Sequence, residues 1–348
     1  MNVTIKTIAE KAGVSAAAVS KALNGSPDIG AATKEKILSL CAELGYTRNQ
    51  AARSLVTNRS STLGLLIPDI STPIYPEIFK GLDAEAKKRG LRIFLCDTNR
   101  NVSLEADFAR ILLEQRVQGM IVAPVSNDVR HIHGIVRGRV PIMFIGGKVN
   151  DEMGDYVATD NRLGSRLAVA HLADLGHRRI AMICDNYGTK TKKDRIAGYC
   201  AEMEARKLEP WVVAGGSDHP EGMEYGYRMM RSLFDPDGAS LGSRASPESP
   251  SAVYTSSDMV ALGVMKAAAE LGIRIPQDIS LVGYDDIMFA SLPTVMLTTV
   301  AQPRYELGKL AVDLLCKAMA QEKRTEAFKA TLEPRLVIRG TTRKFEWK

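Results

Sequence analysis

Cysteine is scarce: Cys41, Cys96, Cys184, Cys200 and Cys316 are odd in number, far apart and never in a CxxC pair. That spacing argues against both a disulfide framework and a zinc site, and leaves the thiols as core residues of a reducing compartment. No stretch approaches the ~18–20 apolar residues of a membrane span, and the opening MNVTIKTIAEKAG lacks the apolar core of a secretory leader. The expectation is a cytoplasmic protein with no membrane partner. No G-x-G-x-x-G, Walker A or H-E-x-x-H string occurs, so no catalytic residue, metal ligand or cofactor is assigned. The last ten residues, RGTTRKFEWK, carry no leucine heptads, which removes a coiled-coil tail.

What is present is an ordinary globular balance. The 348 residues are 45% hydrophobic and 25% charged, enough to bury two or three cores. The net charge of +6 is unevenly spread. Residues 1–60 hold eight basic side chains against four acidic ones, so most of the excess sits at the N-terminus. That asymmetry suits a polyanionic partner.

Three short helices are expected first. Thr4 can cap a helix with Ile5, Ile8, Ala9 and Ala12 on one face, ended by Gly13. Ser15 can cap a second, with Val19, Ala22 and Leu23 inward, stopped by Asn24-Gly25. A third spans about Ala31 to Leu44, opened by Gly30, with Ile37, Leu40, Cys41 and Leu44 inward. After the polar run Thr57–Thr62 the pattern changes. Continuous apolar runs (LGLLIP, LRIFLC, GMIVAP, PIMFIG, RIAMIC, SAVYT, ISLVGY) alternate with helix-length amphipathic stretches at 77–89, 104–116, 162–175, 195–206 and 257–271. Strands apolar on both faces and separated by crossover helices predict an α/β fold of two doubly wound parallel-sheet subdomains. The run Asp235–Pro250, rich in Pro, Gly and Ser, reads as a surface loop.

Helices joined through Gly13-Val14 have the form of a helix-turn-helix. The fuller string Thr4-Ile5-Lys6-x-Ile8-Ala9-x-x-Ala12-Gly13-Val14-Ser15-x-x-x-Val19-Ser20-Lys21-x-Leu23-Asn24-Gly25 resembles the N-terminal signature of the LacI/GalR repressor family. The likeness continues through Leu44-Gly45-Tyr46-x-x-Asn49 to Ala51-Ala52-Arg53-Ser54-Leu55. The resemblance implies a DNA-binding domain over residues 1–48, a hinge helix and linker over 49–61, an effector-binding and dimerisation domain of periplasmic-binding-protein type over 62–340, and a tail from 341 to 348. The DNA contacts it implies are Thr4, Ser15, Ala16, Ala17, Ser20, Lys21, Asn24, Asn49, Ala52, Arg53 and Leu55. Leu55 takes the place of a leucine wedged into the minor groove, where it would kink the duplex. Ala16 and Ala17 stand where the family reads bases, and alanine offers a base at most a methyl contact. Operator choice then leans on Lys21, apolar contacts and DNA deformability.

The likeness extends along the chain in Asp160-Asn161, Leu175-Gly176-His177, Arg195-x-Ala197-Gly198, Ser257-Asp258-x-x-Ala261-x-Gly263, Ile279–Asp286 and Gln302-Pro303. By these matches Ile74, Tyr75, Asp160, Arg195, Ser257 and Asp285 line an effector pocket. Asp285 directly follows ISLVGY and Asp160 follows YVAT, so each carboxylate sits at a strand end, where open α/β sheets bind ligands. Carboxylates accept from hydroxyls and arginine donates to oxygens, which suits a sugar or sugar derivative. The alternative at this pair is a purely structural Arg195–Asp285 ion pair. The stretch Ser217–Gly226 reads as a long loop, with His219 a solvated histidine in it. The function implied is a homodimeric repressor whose affinity for double-stranded operator DNA follows effector binding. A cytoplasmic sugar-binding protein or an α/β enzyme without DNA function is the alternative.

Overall fold

The computed structural model describes residues 3–23, 26–46, 60–147, 154–185, 189–215, 221–234, 249–321 and 326–345. Asn24, the hinge residues Asn49, Ala52, Arg53 and Leu55, His219 and nearly all of the Asp235–Pro250 run lie outside them. The chain divides into two compact units, Met1–Ser60 and Ser61–Lys348.

The first unit holds α1 (Ile5–Ala12), α2 (Ala16–Leu23) and α3 (Ala31–Glu43). Thr4 caps α1: its hydroxyl accepts from the Thr7 N–H at 3.4 Å, and Thr7 Oγ1 accepts from the Thr4 N–H in return. Gly13 ends the helix with φ 70°, a left-handed conformation that turns the chain towards α2. Ser15 Oγ accepts from the Ala18 N–H at 3.1 Å and starts α2. Ile8, Ala9, Ala12, Val19, Ala22, Ile37 and Cys41 form the core. Lys36 Nζ, on α3, donates to the Ala12 carbonyl at 3.0 Å, satisfying an end of α1 that no backbone group reaches.

The second unit is built on two six-stranded sheets. The first has the order β11-β5-β4-β3-β1-β2, from β1 (Thr62–Ile67), β2 (Arg92–Asp97), β3 (Gly119–Val122), β4 (Ile142–Gly146), β5 (Asp155–Thr159) and β11 (Lys329–Leu332), all parallel. The second has the order β12-β10-β9-β8-β6-β7, from β6 (Ile180–Cys184), β7 (Trp211–Ala214), β8 (Ala252–Thr255), β9 (Ser280–Asp285), β10 (Thr298–Ala301) and β12 (Arg335–Val337). Only β12 runs antiparallel to its neighbour in that sheet. The helices α4 (Ile74–Lys88), α5 (Val102–Glu114) and α6 (Arg130–Val136) cover the first sheet. The second is covered by α7 (Asn161–Asp174), α8 (Lys190–Ala205), α9 (Gly222–Phe234) and α10 (Asp258–Glu270).

The chain passes between the sheets three times: after β5 at Asp160, after β10 at Gln302, and between β11 and β12 at Glu333-Pro334. The first and third passages are joined where the Asp160 N–H donates to the Leu332 carbonyl at 2.8 Å. After the second, α11 (Arg304–Ala320) returns to pack along α4 and the first sheet.

Every apolar run expected as a strand is one. The stretch read as a loop from Ser217 is not loop throughout: α9 begins at Gly222. The sequence GMEYGYRMM hides it because Gly226 weakens the helical pattern, yet a side chain there would lie 2.1 Å from the Val260 carbonyl of α10. The tail is tied back to the second sheet's side. Thr341 is buried, its hydroxyl donating to the Leu281 carbonyl at 2.7 Å, and the Phe345 N–H reaches the Leu175 carbonyl at 2.8 Å.

The helices α4 and α11 cross at backbone contact. A methyl group on Gly308 would stand 2.2 Å from the Ile78 carbonyl oxygen. Gly308→Ala is expected to lower stability by about 1–3 kcal/mol, because neither backbone can yield freely. Urea unfolding measures this, and an unchanged midpoint would show that the crossing can open.

Candidate functional site

Asp285 ends β9, a strand buried along its whole length. The backbone then turns through two successive non-glycine residues of positive φ, Asp285 at 119° and Asp286 at 56°. Such conformations cost on the order of 1–3 kcal/mol each and persist only where their surroundings hold them. The hold comes from Asp258, first residue of α10, whose carboxyl accepts from the Ile287 N–H at 2.9 Å and from Thr299 Oγ1 at 2.5 Å.

The turn delivers the Asp285 carboxylate, 7% exposed, against the Arg195 guanidinium, 3% exposed. Arg195 Nη2 donates to Asp285 Oδ1 at 3.3 Å, and Gln302 Nε2 donates to the same oxygen at 2.7 Å. Arg195 Nε donates to Asn161 Oδ1 at 2.9 Å and Nη1 to the Ser256 carbonyl. The guanidinium lies over the Tyr284 ring, 3.6 Å from its centroid. Burial works against the arginine's charge, but Asp285 and its neighbours outweigh it and raise its pKa. A buried ion pair is stable only when hydrogen bonds satisfy its remaining donors and acceptors, and here Asn161, the Ser256 carbonyl and Gln302 supply them.

Beyond Ser256 the network continues. Ser256 Oγ donates to Asp185 Oδ1 at 2.7 Å and Lys192 Nζ donates to it at 2.6 Å, while the Gly222 N–H donates to Asp185 Oδ2 at 2.9 Å. Burial alone would raise the Asp185 pKa; Lys192 and these donors hold it well below the usual carboxylate range.

The expected pocket residues are distributed unevenly over this arrangement. Arg195 and Asp285 meet, so the ion pair weighed as an alternative is present. Asp160 caps α7, its Oδ1 accepting from the Leu163 N–H at 3.0 Å, while the contact to Arg195 comes from its neighbour Asn161. Ser257 caps α10 through the Val260 N–H at 3.4 Å, while its neighbour Ser256 touches Arg195 and Asp185. Ile74 and Tyr75 open α4 half-buried against the core of the first sheet. Burial pushes the Tyr75 phenol up, and both Arg100 from the first sheet's side and Asp285 from the second act on it. Asn161, Asp185, Lys192, Ser256 and Gln302 were not assigned from sequence. Asp185 directly follows RIAMIC, so the strand-end rule that marked Asp285 applies to it equally.

In the first unit, Ala17 and Lys21 are exposed on α2 and Ala16 packs partly against the core. Lys21 Nζ meets Asp28 Oδ2 at 3.1 Å, with both side chains more than half exposed. Such an exposed pair contributes little to stability. One G-x-S-x-G string occurs, Gly238-Ala239-Ser240-Leu241-Gly242, outside the described residues. It follows the helix α9, whereas a nucleophile elbow follows a strand.

Burial first, and Asp285 second, push the Asp258 carboxyl up to about 8. Its unfolded value is near 3.9. Between the two, the folded chain keeps a proton that the unfolded chain gives up, so the stability from this group falls as pH rises through that window. The wild type is expected to lose stability from pH 5 to 8.5 relative to Asp258→Asn, whose profile is flatter. Chemical denaturation across that range measures it, and parallel profiles would contradict it.

A model of the bacterial regulatory proteins of the lacI family matches residues 4–49, and one of a periplasmic binding protein-like domain matches residues 169–342. The ribose operon repressor of Halalkalibacterium halodurans is 31% identical over 340 residues, covering 98% of this chain and 97% of that protein. The structure of the lac repressor dimer bound to operator and the anti-inducer ONPF superposes with a TM-score of 0.84 at 27% identity, covering 99% of this chain and all of that one. A complex of the transcriptional regulator CelR with cellobiose gives a TM-score of 0.70 at 27% identity, covering 97% of this chain and 99% of that one. With its helix-turn-helix unit and two-sheet cleft domain, and with these relatives along its whole length, the chain belongs to the LacI family of bacterial transcriptional regulators.

Proposed function

We propose that this chain is a cytoplasmic, homodimeric repressor whose affinity for operator DNA is set by a small effector, a sugar or sugar derivative, held between the two sheets. The observation that carries the proposal is the joining in one chain of a helix-turn-helix to a cleft domain built around the Arg195–Asp285 pair. Residues 1–48 act as the DNA-binding domain, 49–61 as the hinge, 62–340 as the effector and dimerisation domain, and 341–348 as the tail.

On the DNA side, α2 lies in the major groove. Ser15, Ala16, Ala17, Ser20, Lys21 and Asn24 face base edges and phosphates, with Thr4 and Asn49 on the backbone. Ala52, Arg53 and Leu55 reach the minor groove. Lys21 exchanges its exposed contact with Asp28 for DNA. The two alanines accept apolar contact from thymine methyl groups, so part of the specificity rests on the ease of deforming the site.

On the effector side, Ile74 and Tyr75 give an apolar wall. Asp285 and Asp160 accept from hydroxyls, and Arg195 and Ser257 offer donors. A carboxylate and a guanidinium fixed before the ligand arrives favour a polyhydroxylated molecule, since little ordering remains to be done on binding. The cellobiose bound by the related CelR agrees with that class. The effector changes operator affinity only to the extent that it binds one arrangement of the two sheets better than the other.

Fluorescence anisotropy with a labelled operator, run against a panel of sugars, sugar acids and glycosides, tests both halves. Lys21→Ala should weaken operator binding more than non-operator binding. Asp285→Asn should retain operator affinity within about twofold while losing the response to the sugar that moves the wild type. Equal loss of DNA binding and response in Asp285→Asn, in protein that still melts cooperatively, would show that Asp285 serves only the fold of the cleft and makes no contact with the effector.

A further inference from the structure

Arg100 lies at the C-terminal edge of the first sheet, just beyond β2, and its backbone is held in an unusual shape. Asn99 and Arg100 both have positive φ, 46° and 56°. The turn is fixed by the Asp97 carboxylate, which accepts from the Asn99 N–H at 2.9 Å, and by the Arg100 N–H, which donates to the Pro68 carbonyl at 2.7 Å. The side chain is braced as well. Nε and Nη2 donate to Asp69 Oδ2 at 3.3 and 3.2 Å, and Nη2 to Thr72 Oγ1 at 3.2 Å. An arginine ordered this thoroughly at a loop tip has little side-chain entropy left to lose.

Its remaining terminal nitrogen, Nη1, points away from its own sheet to Glu221, which belongs to the second sheet's side and directly precedes α9. Glu221 is fixed in turn. The next backbone N–H, that of Gly222, is held by Asp185, and Asp185 belongs to the polar network that reaches Arg195 through Ser256. The bridge is partly open to water, with Arg100 43% and Glu221 27% exposed. A second tie stands where α8 begins: the Lys190 N–H donates to Asn127 Oδ1 at 2.5 Å, and Thr191 Oγ1 to the Gly146 carbonyl at 3.4 Å.

We propose that the Arg100–Glu221 ion pair is a strap across the mouth of the cleft, holding the two sheets together before any effector is bound and setting how often the cleft opens to admit one. The inference rests on the effector cleft proposed above, but not on the identity of what enters it. The strap is built on preordered ends, so it closes without ordering either lip. Its exposure leaves it sensitive to salt, and its energy is that of a partly solvated pair. It therefore biases opening without locking the cleft.

Amide hydrogen exchange of the full-length, sugar-free protein tests this, comparing wild type, Glu221→Gln and Glu221→Lys. Arg100 is left in place because it also braces Asp69 and Thr72. Losing the strap should raise exchange about two- to fivefold in the facing lip, residues 69–75 and 99–101, with the larger rise in Glu221→Lys. The helices α5 and α10 should be unchanged. Wild type moved from 20 to 500 mM NaCl should shift in the same direction, which supplies a reading even if a variant folds poorly. A rise confined to residues 221–226 would mean that Glu221 serves only its own helix, and no rise in the facing lip in variants and in salt would overturn the strap. Operator binding and sugar response are separate measurements, so failure of the effector reading would not be mistaken for failure of this one.

Discussion

The buried Arg195–Asp285 pair is the constraint on which the cleft domain turns. Two opposite charges under a tenth exposed exist together only if the chain brings enough other groups to them. That requirement explains features that look separate. Asn161 is there because the chain passes between the sheets at the start of α7. Gln302 is there because it passes again after β10. The left-handed turn at Asp285-Asp286 aims the carboxylate, and Asp258 steadies that turn at the expense of holding its own proton to about pH 8. Each of these residues stands at the end of a strand or the beginning of a helix, where the doubly wound sheets leave polar backbone and side chains facing a common space.

The same economy of position links the pair to motion. Two of the three inter-sheet passages, at Asp160-Asn161 and at Gln302, carry or adjoin partners of the pair, so a change in its geometry bears directly on the segments that join the two sheets. The Ser256–Asp185 extension reaches the other lip of the cleft at Gly222. Under the proposed effector reading, a ligand competing for the pair's hydrogen bonds would act on these passages and, through Ser256 and Asp185, on Gly222. That is the physical basis expected of a domain whose task is to favour one of two arrangements.

Much of this was legible from residues alone, and the losses have definite causes. Strands buried on both faces, such as LGLLIP and ISLVGY, read as continuous apolar runs, the pattern a covered parallel sheet favours, but LRIFLC reads the same way and forms the edge strand β2, with Phe94 and Leu95 exposed. The short helices of the first unit were marked by Thr4, Gly13 and Ser15, whose capping depends on local chemistry only. What local pattern missed was set by tertiary contact. α9 carries Gly226 for close packing on α10, and α11 carries Gly308 for its crossing with α4; local pattern reads the start of the first as loop and does not pick out the second. In the cleft, Asp160 and Ser257 were one position away from the residues that touch Arg195, since a helix cap and its neighbour point to different sides of the same turn. Sequence alone does not show how the tail is held, because Thr341 and Phe345 bond to backbone groups distant in sequence.

The central claim is that Arg195 and Asp285 act as one unit on which the fold of the cleft depends. A double-mutant cycle in urea, with Arg195→Met, Asp285→Asn and the two combined, measures this most directly. Each single change leaves a buried group without its partner, so each should cost several kcal/mol, about 3–5 if the site cannot relax. The combined change removes both charges, and its cost should fall short of the sum of the singles by at least about 1 kcal/mol. Additivity within about 0.5 kcal/mol would show that the two residues are stabilised independently and would contradict the account.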